Sequence, residues 1–495
     1  MSREDRVETP VYALGQPSRR TGLGGLSMKT TIVLGIGFLG YLVCQIAGLV
    51  KLGLLVVVPV TLVIAGVVSI NVGGRSMAQM AEMVFQDMRQ RARGEHIYLS
   101  GPASRLPGGT YRLPGVFART ELIEGVDAAG KEFAVIFDRP RREATVLFHA
   151  QLSGETAITQ EERNAQTSEW GRWLAGLSLS GDVEQAAVVV TTRPGTGDLV
   201  AQEVAATVKP EAPWIARQVQ AEAAGLLSQG VPEVDSHIAL TFSVSVSDAK
   251  DTSFIEPIGT RLPSLYGPLT WAGIQARPMD ANGVCARAHM LYNPASEADF
   301  EELSVQGIEH GLEWENIGPS WAQKDRSAYH HDGATSVTWE MAQAPRSTFE
   351  DTLLTGLIQP HIRIARKRVA LIYRPYEAGS GAGRVEAEHR DAMVAANSSK
   401  KIRAASADMR LEHTEAARRA QARGAQLGRY SLFVTATCAP DEDLERIKHD
   451  VEQLGAQANI RLRIMTRQQD AAFATSCGLG QTPWAKPSTS ALAGA

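Results

Sequence analysis

Residues 31–70, TIVLGIGFLGYLVCQIAGLVKLGLLVVVPVTLVIAGVVSI, contain a single charged side chain, that of Lys51. A bilayer core asks for about 20 apolar residues per spanning helix, so the run is long enough for two. The Val50-Lys51-Leu52-Gly53 stretch supplies the turn between them, with Lys51 and Gly53 at its tip and the Lys51 stem reaching an interface. Everything after Gly74 reads as soluble. The sequence therefore predicts a two-helix transmembrane hairpin over residues 28–72 carrying a large hydrophilic body. A hairpin that dips into the bilayer without crossing is the alternative.

The flanks of the run are basic: Arg19, Arg20 and Lys29 before it, Arg75, Arg89, Arg91 and Arg93 after it. Short basic flanks stay in the cytoplasm, and both ends of a two-span hairpin lie on one side. A multi-pass protein of the cell membrane with both termini cytoplasmic is expected. The run starts too late and is too long for a cleaved signal peptide.

The 495 residues exceed one ordinary core, and 44% hydrophobic with 21% charged residues is a globular composition. A net charge of −4 gives no global bias towards nucleic acid. Cys44, Cys285, Cys438 and Cys477 lie far apart with no CxxC pair, so neither a zinc site nor a disulfide framework is signalled. Each reads as small apolar filler.

Residues 1–27 read as a disordered cytoplasmic tail. Residues 73–130 read as a juxtamembrane helix and linker. Within them, SMAQMAEMVFQDMRQRAR (76–93) sets Met77, Met80, Met83, Val84 and Met88 at helical spacing. Met77, Met80 and Met83, with Arg89, Arg91 and Arg93, form a candidate partner or lipid contact, although such a methionine stripe is more often a packing face.

The body alternates. The runs 133–137 and 144–148 predict a β-hairpin, and Trp170, Trp173, Leu174 and Leu177 a helix. Residues 185–192 predict a strand. Asp198 is the expected N-cap of a helix to about residue 229, interrupted between Pro210 and Pro213, with a strand over 234–246. Strand, helix and strand recur near 429–465, where the acids at 441–443 suit a helix start. Residues 384–426 read as one or two long helices. The expected fold class is an α+β or α/β cytoplasmic body of two ferredoxin-like strand-helix-strand units behind the hairpin. Its parts are an α/β subdomain (131–255), an irregular insertion or middle subdomain (256–365), an α/β subdomain with long helices (366–477) and a flexible tail (478–495).

Motifs of catalysis are missing. No G-x-x-x-x-G-K-[ST] occurs; GSGAGR (379–384) lacks the Lys-Ser/Thr pair that meets phosphate and magnesium, and reads as a flexible connection. His389-Arg390-Asp391 imitates a kinase loop, but position 396 is Ala where the magnesium-binding Asn belongs. His330-His331-Asp332 lacks further ligands at metal-site spacing and reads as a solvated loop. The basic run 363–368, RIARKR, is interleaved with apolar residues and reads as the charged end of a strand, so direct nucleic-acid binding is not expected. No catalytic, cofactor-binding or metal-binding residue is assigned, and no cofactor is expected.

Several segments carry a resemblance. They are EWGRWLAGL (169–177) with the QAAVVVTTR strand (185–193), and the long helix before GRYSLFVTATCAPDEDLERIKHDVEQLGAQANIRLRIMTRQQDAAFATSCGLG (428–480). The hairpin resembles the small PrgI-type membrane proteins of conjugation systems. The body is similar to the amino-terminal, non-ATPase domain of type IV secretion ATPases, as in actinobacterial conjugation-type membrane proteins. The resemblance implies a non-enzymatic structural component of a conjugation or type IV secretion apparatus. Its implied partners are the cytoplasmic membrane, a separate ATPase and other membrane subunits, in an oligomer. The family's catalytic residues lie in the motor, which would be a separate chain. A type VII secretion component of the EccE kind is the near alternative; a membrane-bound nucleotide-using enzyme or sensor is the alternative of another class.

Overall fold

A computed structural model describes residues 28–484, apart from 70, 73–74, 105–109, 153, 155–157, 198–202, 205, 228–231, 346–348, 377, 399–404 and 423–427. The expected tail over 1–27 and the expected N-cap Asp198 lie outside the described residues. The chain forms two compact units, Gly15–His96 and one that includes Ile97–Ala495.

In the first unit, helix α1 (Met28–Ile46) is followed by a reversal at Ala47, Gly48 and Leu49 and then by α2 (Val50–Ser69). Gly48 takes φ 73°, a left-handed conformation that glycine adopts without strain. The two helices lie side by side. A Cβ on Gly37 would sit 2.1 Å from Thr61 Cγ2, and the Thr30 and Ser69 hydroxyls are 3.1 Å apart. The short strands β1 (Asn71–Val72) and β2 (Arg75–Ser76) pair antiparallel, and α3 (Met77–Ala92) ends the unit.

This corrects the expected localisation. Among the described residues only α2 is long and apolar enough to cross a membrane; the apolar part of α1, Thr30–Ile46, is shorter. The reversal falls before Val50, so it divides the apolar run unequally and leaves the first piece short of a span. A multi-pass protein with both termini on one side is not supported.

The second unit is one 13-stranded sheet in which every strand pairing among the described residues is antiparallel. Its elements in chain order are β3 (Ile97–Leu99), β4 (Thr120–Val126), β5 (Glu132–Asp138), β6 (Glu143–Leu152), α4 (Gln160–Ser180), β7 (Val183–Pro194), α5 (Trp214–Leu227) and β8 (Pro232–Ser243). There follow α6 (Ile255–Tyr266), β9 (Ile274–Pro278), α7 (Ala281–Tyr292), α8 (Glu297–Gln306), β10 (Trp321–Lys324), β11 (Tyr329–His331) and β12 (Ala334–Gln343). The last are β13 (Arg366–Pro375), α9 (Ala378–Ser398), α10 (Ala405–Ala422), β14 (Gly428–Cys438), α11 (Leu444–Gln457), β15 (Arg461–Ile464) and α12 (Gln469–Ser476). Residues 256–365, expected to be irregular, thus supply four strands of the same sheet.

The architecture is mixed helix and antiparallel sheet, with both faces of the sheet covered. Alternate residues of β5 show why its apolar run is continuous: Phe133, Val135 and Phe137 join one core with α4 and α6, while Ala134 and Ile136 join another with α7 and α12. A third core lies under α11, where Ile447, Val451 and Leu454 meet Trp339, Val369 and Val434. Helix α4 begins on a capping box in which Thr159 accepts from the Glu162 amide and Glu162 accepts in return.

The strand order is β3-β10-β11-β12-β14-β13-β7-β8-β6-β5-β4, with β15 beside β12 and β9 beside β6. Read outward from the β7–β13 pair it repeats: β7-β8-β6-β5-β4 on one side, β13-β14-β12-β11-β10 on the other. The last rungs of β7–β8 and β13–β14, Pro194↔Pro232 and Pro375↔Gly428, are equivalent. Counting from them, Thr145↔Thr241 falls on Ser336↔Thr437. Both rungs carry a side-chain hydroxyl pair, at 2.9 and 2.7 Å. The expected repeat paired 185–246 with 429–465; in the structure β7–β8 corresponds instead to β13–β14. The long helical stretches are excursions between adjacent antiparallel strands. Because β7 and β13 run antiparallel, α5 and the α9–α10 pair leave from opposite ends of the sheet.

The expected flexible tail is packed as far as it is described. Leu479 and Thr482 are buried, and Gly480, at φ 98°, lies so close to Thr145 that a Cβ would be 2.2 Å from its Oγ1.

Candidate functional site

A cleft lies where the two halves meet. Strand alternation builds its floor. On β13, Arg366 and Arg368 point to the face bearing Ala370 and Ile372, while Lys367 between them points to the other face and donates to the Gln359 carbonyl at 2.7 Å. The basic run 363–368 is thereby divided; Arg363 pairs with Asp450 at 2.7 Å, away from the cleft. One rung joins Asp235, Thr191, Arg368, Thr435 and Thr338 across β8, β7, β13, β14 and β12. Helix α7 and the turn after it supply the wall, with Arg287, Met290, Leu291 and Pro294.

Three of the cleft's four guanidinium groups have carboxylate partners. Arg287 meets both Asp235 oxygens, at 2.6 and 3.0 Å. Arg193 meets Glu233 at 2.8 Å and Arg366 meets Glu297 at 3.0 Å. Arg368 is 4% exposed and has no carboxylate partner among the described residues. It donates to Ser476 Oγ at 3.3 and 3.1 Å and lies 4.8 Å from the centre of the Phe473 ring.

Burial works to raise the Asp235 carboxyl, but Arg287, His237 and His149 outweigh it and hold it below its ordinary range. Burial raises the Glu297 carboxyl against the pull of Arg366. Burial and then Arg287 push His237 down to about 3, and burial alone takes Lys367 down to about 8.

No family model matches the chain, and no curated protein matches it.

The residues singled out from sequence lie elsewhere. Lys51 and Gly53 are not at the reversal but in the first turns of α2. Lys51 is exposed, and Gly53 is buried where a Cβ would meet Tyr41 and Cys44 at 3.1 Å. On α3, Met77, Met80 and Met88 are exposed with Phe85, while Met83 is half-buried. Arg89 and Arg93 are exposed, and Arg91 pairs with buried Asp87 at 3.3 Å.

GSGAGR (379–384) is not a loop: it forms the first turns of α9. His389 sits on the same helix and meets Thr414 of α10 at 3.3 Å. His330 and His331 form β11 rather than a solvated loop. His331 is fully buried between the Tyr292 carbonyl and Ser336 Oγ, at 2.6 and 2.8 Å, and burial takes it to about 4. No group of metal-binding side chains occurs among the described residues. Cys285, Cys438 and Cys477 are buried free thiols, raised by burial to about 12, 12 and 11.

The cleft itself was not read from the sequence. Its one local signal is Arg-x-Arg at 366 and 368, a strand spacing that aims two guanidinium groups to one face.

Proposed function

We propose that this chain is a non-enzymatic, membrane-anchored structural component of a conjugation or type IV secretion-like apparatus that docks a separate ATPase. Its anchor is α2, a 20-residue apolar helix of which only 11% of the spanning window is buried, so most of its surface is free for lipid. The exposed Met77, Met80 and Phe85 of α3 beside Arg89 suit an interfacial position.

The body supports the same reading. Strands β6-β7-β8-β9 lie in the order 2-3-1-4, with α4 and α6 on one face. Strands β12-β13-β14-β15 repeat the order, with α11 and the turn Thr355–Ile358 on one face. We read each as a ferredoxin-like unit. The sequence of α10, β14, α11 and β15 has the long helix, strand, helix and strand on which the resemblance rests.

The observation that carries docking is the exposed apolar surface of the helical excursions. Trp214, Ile215, Val219 and Leu226 of α5 are all more than half exposed, Trp214 by 66%. A large exposed aromatic among aliphatics is the composition of a contact surface.

Gentle detergent extraction of the tagged chain from its native membrane, with mass spectrometry of what co-purifies, tests the reading. An ATPase is expected in the wild-type sample and missing with Trp214→Ser/Val219→Ser. Recovery without any ATPase in several mild detergents would sink the proposal.

A further inference from the structure

The two halves treat equivalent depressions differently. In the first half the depression beside Thr145, Gln185 and Thr241 is filled by the chain itself. Gly480 packs on Thr145, the Gln481 carbonyl accepts from Gln185 at 3.4 Å, and Trp484 lies 4.6 Å from Arg374. Counting from the equivalent rungs at Pro194 and Pro375, Gln185, Thr241 and Arg374 correspond to Arg366, Thr437 and Arg193. Those three line the cleft, which is open. Ala187 of the filled depression is replaced by Arg368 in the open one.

The open depression has more donors than acceptors. Arg368, 4% exposed, has no carboxylate partner among the described residues. Thr191 Oγ1, Arg193 Nε and Arg287 Nε are buried without a hydrogen-bond partner among the described residues. The nearby acceptors Asp235, Glu233 and Glu297 are already engaged by Arg287, Arg193 and Arg366; buried Glu301, beside Glu233 and Arg193, keeps one oxygen without a hydrogen-bond partner among the described residues. Buried donors are normally satisfied, and a guanidinium is matched by the planar or tetrahedral face of an oxyanion.

We infer that this cleft binds a small tetrahedral oxyanion of the phosphate type, as free phosphate or as the phosphate group of a small metabolite. The anion accepts from Arg368 and Thr191, with the Nε–H groups of Arg193 and Arg287 completing its shell. The rung Thr191↔Arg368 fixes the first two side by side on adjacent strands. The site is independent of whether the chain docks an ATPase.

The test is thermal unfolding of the full chain in detergent, followed by tryptophan fluorescence. Inorganic phosphate is titrated against sodium acetate and sodium chloride of equal ionic strength. A ligand that binds only the folded state raises the midpoint with its concentration. Phosphate is expected to do so, and acetate and chloride are not. Thr191→Val keeps the shape and removes one donor, and is expected to weaken the apparent phosphate affinity about tenfold. Arg368→Gln is expected to abolish the shift. If Arg368→Gln does not fold, Thr191→Val decides alone. A midpoint that follows ionic strength only, an equal response to acetate, or a phosphate response unchanged in Thr191→Val would each overturn the assignment.

Discussion

Arg287 donates from Nη1 to Nδ1 of His237 across 3.3 Å, while Nε2 of the same ring donates to the Cys477 carbonyl at 3.1 Å. A guanidinium only donates and a carbonyl only accepts, so the ring is held as one neutral tautomer. Protonating it would aim a new N–H at a cation.

Stability should therefore fall on the acid side. Unfolded, His237 titrates near 6.5; folded, it stays neutral down to about 3. Its contribution is full above pH 6.5 and is lost as pH falls through that window, at up to about 1.4 kcal/mol per pH unit. His331 adds a similar loss between 6.5 and about 4. Melting midpoints at pH 7 and pH 5 check this: the drop is expected to be smaller in His237→Gln. Equal drops would place the acid sensitivity elsewhere.

Lys367 predicts the opposite window. Among the described residues its ammonium has the Gln359 carbonyl as its one acceptor, and burial lowers it from 10.5 to about 8. Between those values the unfolded chain keeps a proton that the folded chain has released, so its contribution to stability rises with pH there. The raised thiols of Cys285, Cys438 and Cys477 pull the other way over the same range, so the check is a difference: between pH 8 and pH 10 the urea midpoint of Lys367→Met should fall further than that of the wild type.

The contact between α1 and α2 can be tested by cross-linking. Thr30 and Ser69 hydroxyls 3.1 Å apart put Thr30→Cys and Ser69→Cys within disulfide reach. Mild oxidation should join them. Adding Gly37→Leu, whose Cβ would overlap Thr61, should prevent the bond by forcing the helices apart. Efficient cross-linking in the triple variant would contradict this packing.

Gly480 should be intolerant of any side chain. Its φ of 98° disfavours L residues and its Cβ would lie 2.2 Å from Thr145 Oγ1. Gly480→Ala is expected to cost about 2–4 kcal/mol in chemical denaturation, as strain and overpacking add. A change below about 1 kcal/mol would show that the segment yields freely.

The strands were legible in the sequence, and their partners were not. FAVIF, QAAVVV and VALIY are apolar on both faces because both faces are covered, so no polar alternation marks register or neighbour. The helices after β7 and β13 read as crossovers of an α/β unit; only pairing shows that each leaves and rejoins between adjacent strands. The repeat left little trace because the halves share few side chains, the Thr145–Thr241 and Ser336–Thr437 hydroxyl pairs among them. Residues 478–484 read as part of a flexible tail, whereas Gly480 is needed where backbone meets Thr145. The cleft was hidden because its guanidinium groups come from β7, α7 and β13, far apart along the chain.

The β7–β13 seam has a further consequence. A protein made of either half alone would present a full-length strand with unpaired amides and carbonyls at that edge, a template for association with any exposed strand. Such a half-length chain would cover the edge only by finding a second copy, in an isologous contact that dilution dissolves. Here the second copy is tethered in the same chain, so the junction forms at an effective concentration that expression level does not alter. The same tether frees the two copies from identity: one depression can be closed by residues 480–484 while its twin stays open.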